Sequence, residues 1–145
     1  MNDIYDVTII GGGPSGLYSA FYAGLRDLKT KIIEFQPTLG GKLHVYPEKI
    51  IWDIGGLPAT PAQKVIENLI EQGLTFKPTV CLNTKVEFIT KKDNLFVIET
   101  NTGEKHYTKK VIVAVGGGII SPIKLHIEGA EKYEVSNLHY TIRGI

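Results

Sequence analysis

Hydrophobic and polar positions change period twice within the first 35 residues. Tyr5–Ile10 (YDVTII) is a short β-branched run with the pattern of a strand buried on both faces. From Leu17 to Leu25 apolar residues recur at helical spacing, and Thr30–Phe35 (TKIIEF) returns to a strand. Glycines fill the gap before the helix. Strand, glycine turn, helix and strand within about thirty residues predict a βαβ unit with a right-handed crossover.

Gln36–Ala59 is irregular and rich in Gly and Pro, and a loop that long inside a domain usually serves function. A second helix follows. Thr60 is its expected N-cap, Pro61 its first residue and Gln63 the partner in a capping box. Val65, Ile66, Leu69 and Ile70 share one face, and Gly73 supplies the stop. Strands are predicted next, starting with a short one at Thr79–Leu82. Val86–Thr90, Asn94–Thr100 and Glu104–Thr108 read as a β-meander, turning at Lys92-Asp93-Asn94 and Asn101-Thr102-Gly103. Val111–Val115 reads as a buried strand ended by Gly116-Gly117-Gly118. Ile119–Ile145 has no strong period, contains Pro122, Gly129 and Gly144, and reads as a connector.

The predicted fold is a three-layer α/β domain of Rossmann-like type, with a parallel sheet, helices packed on it and an antiparallel meander as the third layer. It is expected to be incomplete at its C-terminus, with the domain at 1–116 and the connector at 117–145.

Composition narrows the class. In 145 residues, 43% hydrophobic, there is room for one compact core. A net charge of +1, with acids and bases mixed, leaves no electrostatic footprint for nucleic acid or an anionic membrane. Apolar runs such as Val111–Val115 are too short to cross a bilayer. The N-terminus has neither a basic nor an apolar leader region, so a cytoplasmic chain is expected. Cys81 is the sole cysteine, which excludes an internal disulfide and a redox-active cysteine pair.

Gly11, Gly13 and Gly16 form G-x-G-x-x-G within GGGPSG, after a strand and at the start of a helix. Gly11 allows the tight turn, Gly13 lets backbone N–H groups approach a pyrophosphate, and Gly16 lets the helix pack on the strand. The helix N-terminus, within Gly12, Gly13, Pro14 and Ser15, offers unsatisfied N–H groups to phosphates from its non-proline residues, and Ser15 a hydroxyl. Glu34 closes the second strand, eighteen residues after Gly16. A carboxylate there accepts both hydroxyls of an adenosine ribose and repels a 2′-phosphate, so FAD or NAD is expected there rather than NADP.

The stretch YDVTIIGGGPSGLYSAFYAGLR…KIIEF resembles the FAD-binding start of the flavoproteins with two dinucleotide-binding domains, the thioredoxin-reductase-like group. Leu39-Gly40-Gly41 resembles the group's glycine pair beside the flavin. Thr108–Gly116, with Pro122 and Glu128-Gly129-Ala130, resembles the strand and exit loop of its FAD domain. Tyr46-Pro47-Glu48-Lys49, Trp52-Asp53-Ile54 and Gly56-Leu57-Pro58 are similar to the signature of the bacterial ferredoxin–NADP⁺ reductases of that type. Asn137-Leu138-His139-Tyr140 resembles their link into the NADP domain. The resemblance implies FAD as cofactor, with Glu34 at the ribose, Gly41, Lys42 and Tyr46 toward the flavin, Val86 near the adenine and Ile120 near the domain exit. Relatives of this kind usually carry Gln where Lys42 stands, and often a larger or aromatic residue where Ile120 stands. The loop before Tyr46 is one residue shorter than theirs.

Thioredoxin reductases carry C-x-x-C just after the motif aligned with Leu138–Tyr140, whereas this chain has Thr141-Ile142-Arg143-Gly144. Electrons are therefore expected to leave singly to a protein such as ferredoxin, or to another acceptor. The resemblance further implies NADPH as co-substrate of a full-length enzyme and a homodimer. This chain is expected to be a fragment, not competent alone and weak in flavin retention. A thioredoxin-reductase-like oxidoreductase with another acceptor and a non-catalytic module binding FAD or its ADP moiety are the alternatives.

His44, His106, His126 and His139 lack metal-ligand spacing and read as surface or hydrogen-bonded residues. Cys81 reads as a small buried hydrophobe. Lys91-Lys92 and Lys109-Lys110 read as solvated charges or as part of a ferredoxin-docking face. Tyr46 and Trp52 fit either flavin stacking or loop packing.

Overall fold

Strand β1 (Ile4–Ile10) runs into the glycines, helix α1 (Pro14–Gly24) follows, and β2 (Thr30–Ile33) pairs parallel to β1, with Val7 opposite Thr30 and Ile10 opposite Ile33. The structure is a computed structural model and describes residues 3–117, 126–134, 136 and 138. Every residue of β2 is buried, as are Val7, Ile9 and Ile10, because a parallel strand is covered on both faces. Pro14 sits in the first turn of α1, where its missing N–H costs nothing. Leu17, Ala20 and Ala23 face inward and pack with Val7, Ile9 and Ile32. Burying a side chain such as Leu17 contributes roughly 1.5–3 kcal/mol.

Helix α2 (Ala62–Gly73) lies against α1 and supplies Leu69 and Ile70 to the same core. A Cβ on Gly73 would stand 2.8 Å from Leu17 Cδ2, so the absence of a side chain lets the helices approach. Its N-terminus departs from the expected capping box. Pro61 is the N-cap and no side chain caps the helix. Instead the Ala62 and Gln63 amides donate to the carbonyls of Lys49 and Pro47, both at 2.8 Å. Thr60 turns its hydroxyl to the Pro58 carbonyl, and β4 (Thr60–Pro61) pairs with β3 (Ile50–Ile51).

The main sheet has the order β5-β2-β1-β8-β7-β6, with β5 (Thr79–Cys81), β6 (Val86–Lys92), β7 (Leu95–Thr100) and β8 (Lys105–Val113). The two strands expected at Glu104–Thr108 and Val111–Val115 are one nine-residue strand. Its first half pairs antiparallel with β7, placing His106 opposite Ile98, and it pairs parallel with β1 from Ile4 to Ile10. The meander is thus joined to the parallel sheet through β8. Lys109-Lys110 has no turn chemistry to interrupt it. Lys109 remains extended and reaches the Asp6 carboxylate at 2.7 Å.

The far end of β8 is not buried as expected: Val113 is 65% exposed. Elsewhere Thr8, Ile33, Ile98 and Thr108 are fully buried outside the helix-packed cluster. Two bases share this interior environment. Lys31 Nζ lies 3.0 Å from His106 Nδ1 and 4.1 Å from the Tyr5 ring centroid. Among the described residues no helix is long and apolar enough to cross a membrane.

Candidate functional site

The carboxyl ends of β2, β1 and β8 open into a cavity of about 570 Å³. The backbone ladder continues past the strand ends and shapes its floor. Gly11 N–H donates to the Ile33 carbonyl at 2.9 Å, and Ala114 N–H to the Ile10 carbonyl at 2.8 Å. A crevice above the carboxyl ends, where neighbouring strands connect in opposite directions, is where open α/β sheets hold ligands.

Gly11 has φ +106, and a Cβ there would stand 2.3 Å from the Ala114 carbonyl oxygen. A Cβ on Gly16 would lie 1.9 Å from the Gly11 carbonyl oxygen. Packing within the chain therefore dictates both glycines. Gly13 is different. Its backbone is extended, φ −77 and ψ −174, and a Cβ would find no atom closer than Gly41 Cα at 3.8 Å. Neither conformation nor packing demands glycine at 13, yet the residue faces the cavity. That vacant Cβ position matches the close approach of a diphosphate to the N-terminus of α1. The first turn of α1 carries no acid to oppose an anion.

Glu34 follows β2 directly, is buried and lines the cavity. Its Oε2 accepts the Gly12 N–H at 2.6 Å and its Oε1 the Gln36 N–H at 2.7 Å. A carboxylate has about four acceptor positions, so lone pairs remain for ribose hydroxyls. Gly41, Lys42 and Lys85 line the cavity too, which leaves Glu34 as the sole acid among the described lining residues.

The Leu39–Gly41 segment packs backbone to backbone on the glycine loop. Gly40 N–H donates to the Gly12 carbonyl at 2.8 Å, and a Cβ on Gly41 would lie 2.9 Å from Gly13 Cα. A 3₁₀ turn, Gly41–Val45, follows. From it Lys42 reaches the opposite wall, where a Cβ on Gly117 would meet Lys42 Nζ at 2.4 Å.

Of the residues expected at the cofactor, Gly11, Gly13, Pro14, Ser15, Glu34, Gly41, Lys42 and Val86 line this cavity together. Gly12 contributes its N–H to Glu34 instead, and Gly16 packs on Gly11. Tyr46 is half-exposed and is not part of the lining. Ile120 lies outside the described residues. The sequence reading missed the wall at Ile112–Gly117 and the Thr84–Lys85 edge. The glycines after Val115 were a usable signal, since they follow the carboxyl end of a strand parallel to β1. Among the described residues no group of His, Cys, Asp and Glu could hold a metal ion.

Glycine turn, buried carboxylate and cleft over parallel strand ends define a Rossmann-like dinucleotide-binding domain. The chain belongs to the pyridine nucleotide-disulphide oxidoreductase family, whose pattern it matches over residues 5–143. It is 64% identical over 144 residues to ferredoxin–NADP reductase 1 of Bacillus thuringiensis (strain Al Hakam), covering 99% of this chain and 41% of that protein. Against ferredoxin–NADP reductase 3 of Lysinibacillus sphaericus (strain C3-41) the identity is 63% over 143 residues, again covering 99% of this chain and 41% of the relative. The chain thus spans about 41% of the length of these relatives. Thioredoxin reductase of Streptococcus pyogenes superposes with a TM-score of 0.71 at 26% identity, over 92% of this chain and 41% of that one. The Lactococcus lactis thioredoxin reductase gives 0.74 at 25%, over 90% and 41%. The resemblance read from the sequence, and the α/β fold expected from it, are borne out.

Proposed function

We propose that this chain is the FAD-binding portion of a ferredoxin–NADP⁺ reductase, which moves electrons between NADPH and ferredoxin. The observation that carries the reading is the cleft itself: Glu34 at one wall, the N-terminus of α1 at its floor, and Lys42 reaching across. Glu34 receives the adenosine ribose, Gly13–Ser15 the diphosphate, Val86 flanks the adenine, and Gly41, Lys42 and Tyr46 lie toward the flavin, with Ile120 near the exit. Flavin, when bound, exchanges hydride with a nicotinamide and single electrons with a one-electron carrier. The protein positions the cofactor and excludes water from its apolar side.

The names of the 62–64% identical relatives support the acceptor. So does the cysteine inventory. The sole cysteine, Cys81, sits in β5 with its thiol pushed up by burial, which suits packing rather than disulfide exchange. Within this reading the cofactor domain ends at residue 116 and 117–145 leads toward an NADP-binding domain. The whole protein works in the cytoplasm as a homodimer, without nucleic-acid or membrane partners.

The visible absorption spectrum of the natural-length protein tests the cofactor, with flavin bands expected to survive desalting. NADPH-driven reduction of ferredoxin, compared with reduction of a protein disulfide, tests the acceptor. Disulfide reduction alone would instead support the thioredoxin-reductase-like alternative, to which the 25–26% identical structures point.

A further inference from the structure

His44 stands on the Gly41–Val45 turn and points back along it. Its Nε2–H donates to the Leu39 carbonyl at 2.7 Å. The ring fills the place a side chain at residue 40 would need: a Cβ on Gly40 would lie 2.6 Å from His44 Nε2 and 2.9 Å from Ile66 Cγ2. Gly40 and Gly41 have φ +121 and +63, conformations that glycine enters at no steric cost and leaves as easily. Something must select them.

Two tethers hold this segment to the glycine loop, the Gly40 N–H on the Gly12 carbonyl and the buried Leu39 side chain, whose Cδ2 would stand 2.4 Å from a Cβ on Gly12. The third is His44, which closes the turn on itself. Lys42 lies inside that closed turn, so its path across the cleft toward Gly117 depends on the turn's conformation.

We propose that His44 is a positioning residue for the flavin side of the cleft: by bonding Leu39 it holds the Gly40–Gly41 turn so that Gly41 and Lys42 face the cofactor. This rests on the reading that the cleft holds FAD. Without the imidazole the glycine pair samples other conformations, and binding must then order it. The loss falls on contacts beyond the diphosphate, because Glu34 and Gly12 are held from the other side.

The test compares dissociation constants of FAD and ADP for the natural-length apoprotein and its variants. His44→Ala raises the FAD constant about tenfold and the ADP constant less than about threefold, the scale of one lost hydrogen bond plus an ordered turn. His44→Gln, whose side-chain amide places an N–H where Nε2 stood, returns FAD binding to within about threefold of wild type. Hydrogen exchange at the Gly40 amide accelerates in His44→Ala and recovers in His44→Gln. A His44→Ala protein that binds FAD like wild type, or loses FAD and ADP alike, overturns the proposal, as does failure of Gln to restore. Should His44→Ala not fold, His44→Asn must show the FAD-selective loss, since its shorter amide falls short of Leu39. A wild-type protein that binds neither ligand overturns the flavin reading itself, before any variant is compared.

Discussion

The Gly12 amide donates to Glu34 Oε2 at 2.6 Å, across 22 positions of sequence. One carboxylate thereby shapes the glycine loop and also faces the cavity. Replacing it has two separable consequences. Glu34→Ala leaves the buried Gly12 amide and the half-buried Gln36 amide without their acceptor and is expected to lower stability by about 2 kcal/mol. It also weakens FAD binding at least tenfold. Chemical unfolding and flavin retention after desalting measure the two effects. Wild-type values in both would show that the carboxylate does neither job.

Gly16 and Gly13 make a contrasting pair. Gly16→Ala drives a methyl to 1.9 Å from the Gly11 carbonyl and is expected to cost about 3 kcal/mol or more, the upper range of overpacking. Gly13→Ala meets nothing closer than 3.8 Å and should melt like wild type. On the proposed placement of the diphosphate its methyl enters the cofactor's space, so FAD affinity is expected to fall. Equal melting losses in the two variants would contradict this division.

Lys42 brings a positive charge to the far wall, beside Gly117. Lys42→Met is expected to raise the FAD dissociation constant about three- to tenfold, the scale of a partly screened ionic contact. The salt dependence of binding should flatten with it. Titrations at low and high ionic strength give the answer, and an unchanged salt slope speaks against a contact with the anionic part of the cofactor.

Acid should act first on His106. Burial, with the Lys31 ammonium beside it, holds the imidazole below its ordinary value of 6.5. Glu104, 3.8 Å from Nε2, opposes this. An unfolded chain therefore takes up a proton that the folded chain refuses, and the difference works against folding as pH falls. The contribution is fully present above about 6.5 and is lost below it. Asp3, Asp6 and Glu67, all held below their ordinary values by hydrogen bonds, matter only at lower pH. Urea midpoints should drop between pH 6.5 and pH 5, and His106→Gln should flatten that segment. A variant that keeps the wild-type slope there assigns the transition to other groups.

Much of the architecture was legible because local signals agreed with tertiary ones. Tyr5–Ile10, the glycine turn, Leu17–Leu25 and Thr30–Phe35 carry their periods without conflict, and the acid after the second strand lines the cavity beside the glycine loop. The start of α2 was misread because its amides are satisfied by carbonyls at residues 47 and 49, brought near only by folding. Splitting β8 had a similar origin. Lys109-Lys110 looks like a break in an apolar pattern, but both lysines are exposed and the backbone runs straight between two partners. The far wall of the cleft was marked only by the glycines after Val115, since it comes from the end of β8 and the residues that follow, and their place beside β1 is set by a long-range pairing. His44 carries no motif at all. Its role depends on a carbonyl five residues back and on the empty side of a glycine.

The place of β8 sets an order of events during synthesis. Tyr5 and Thr108 are neighbours in the folded sheet although 103 positions separate them. As the chain leaves the ribosome, β1 can find β2 early, but its other edge must wait until β8 emerges. Closing so distant a pairing is slow, and in the interval β1 presents an open row of amides and carbonyls to any passing strand. A nascent chain arrested between β2 and β8 is thus the form most prone to aggregate, and the one for which a chaperone has most to shield.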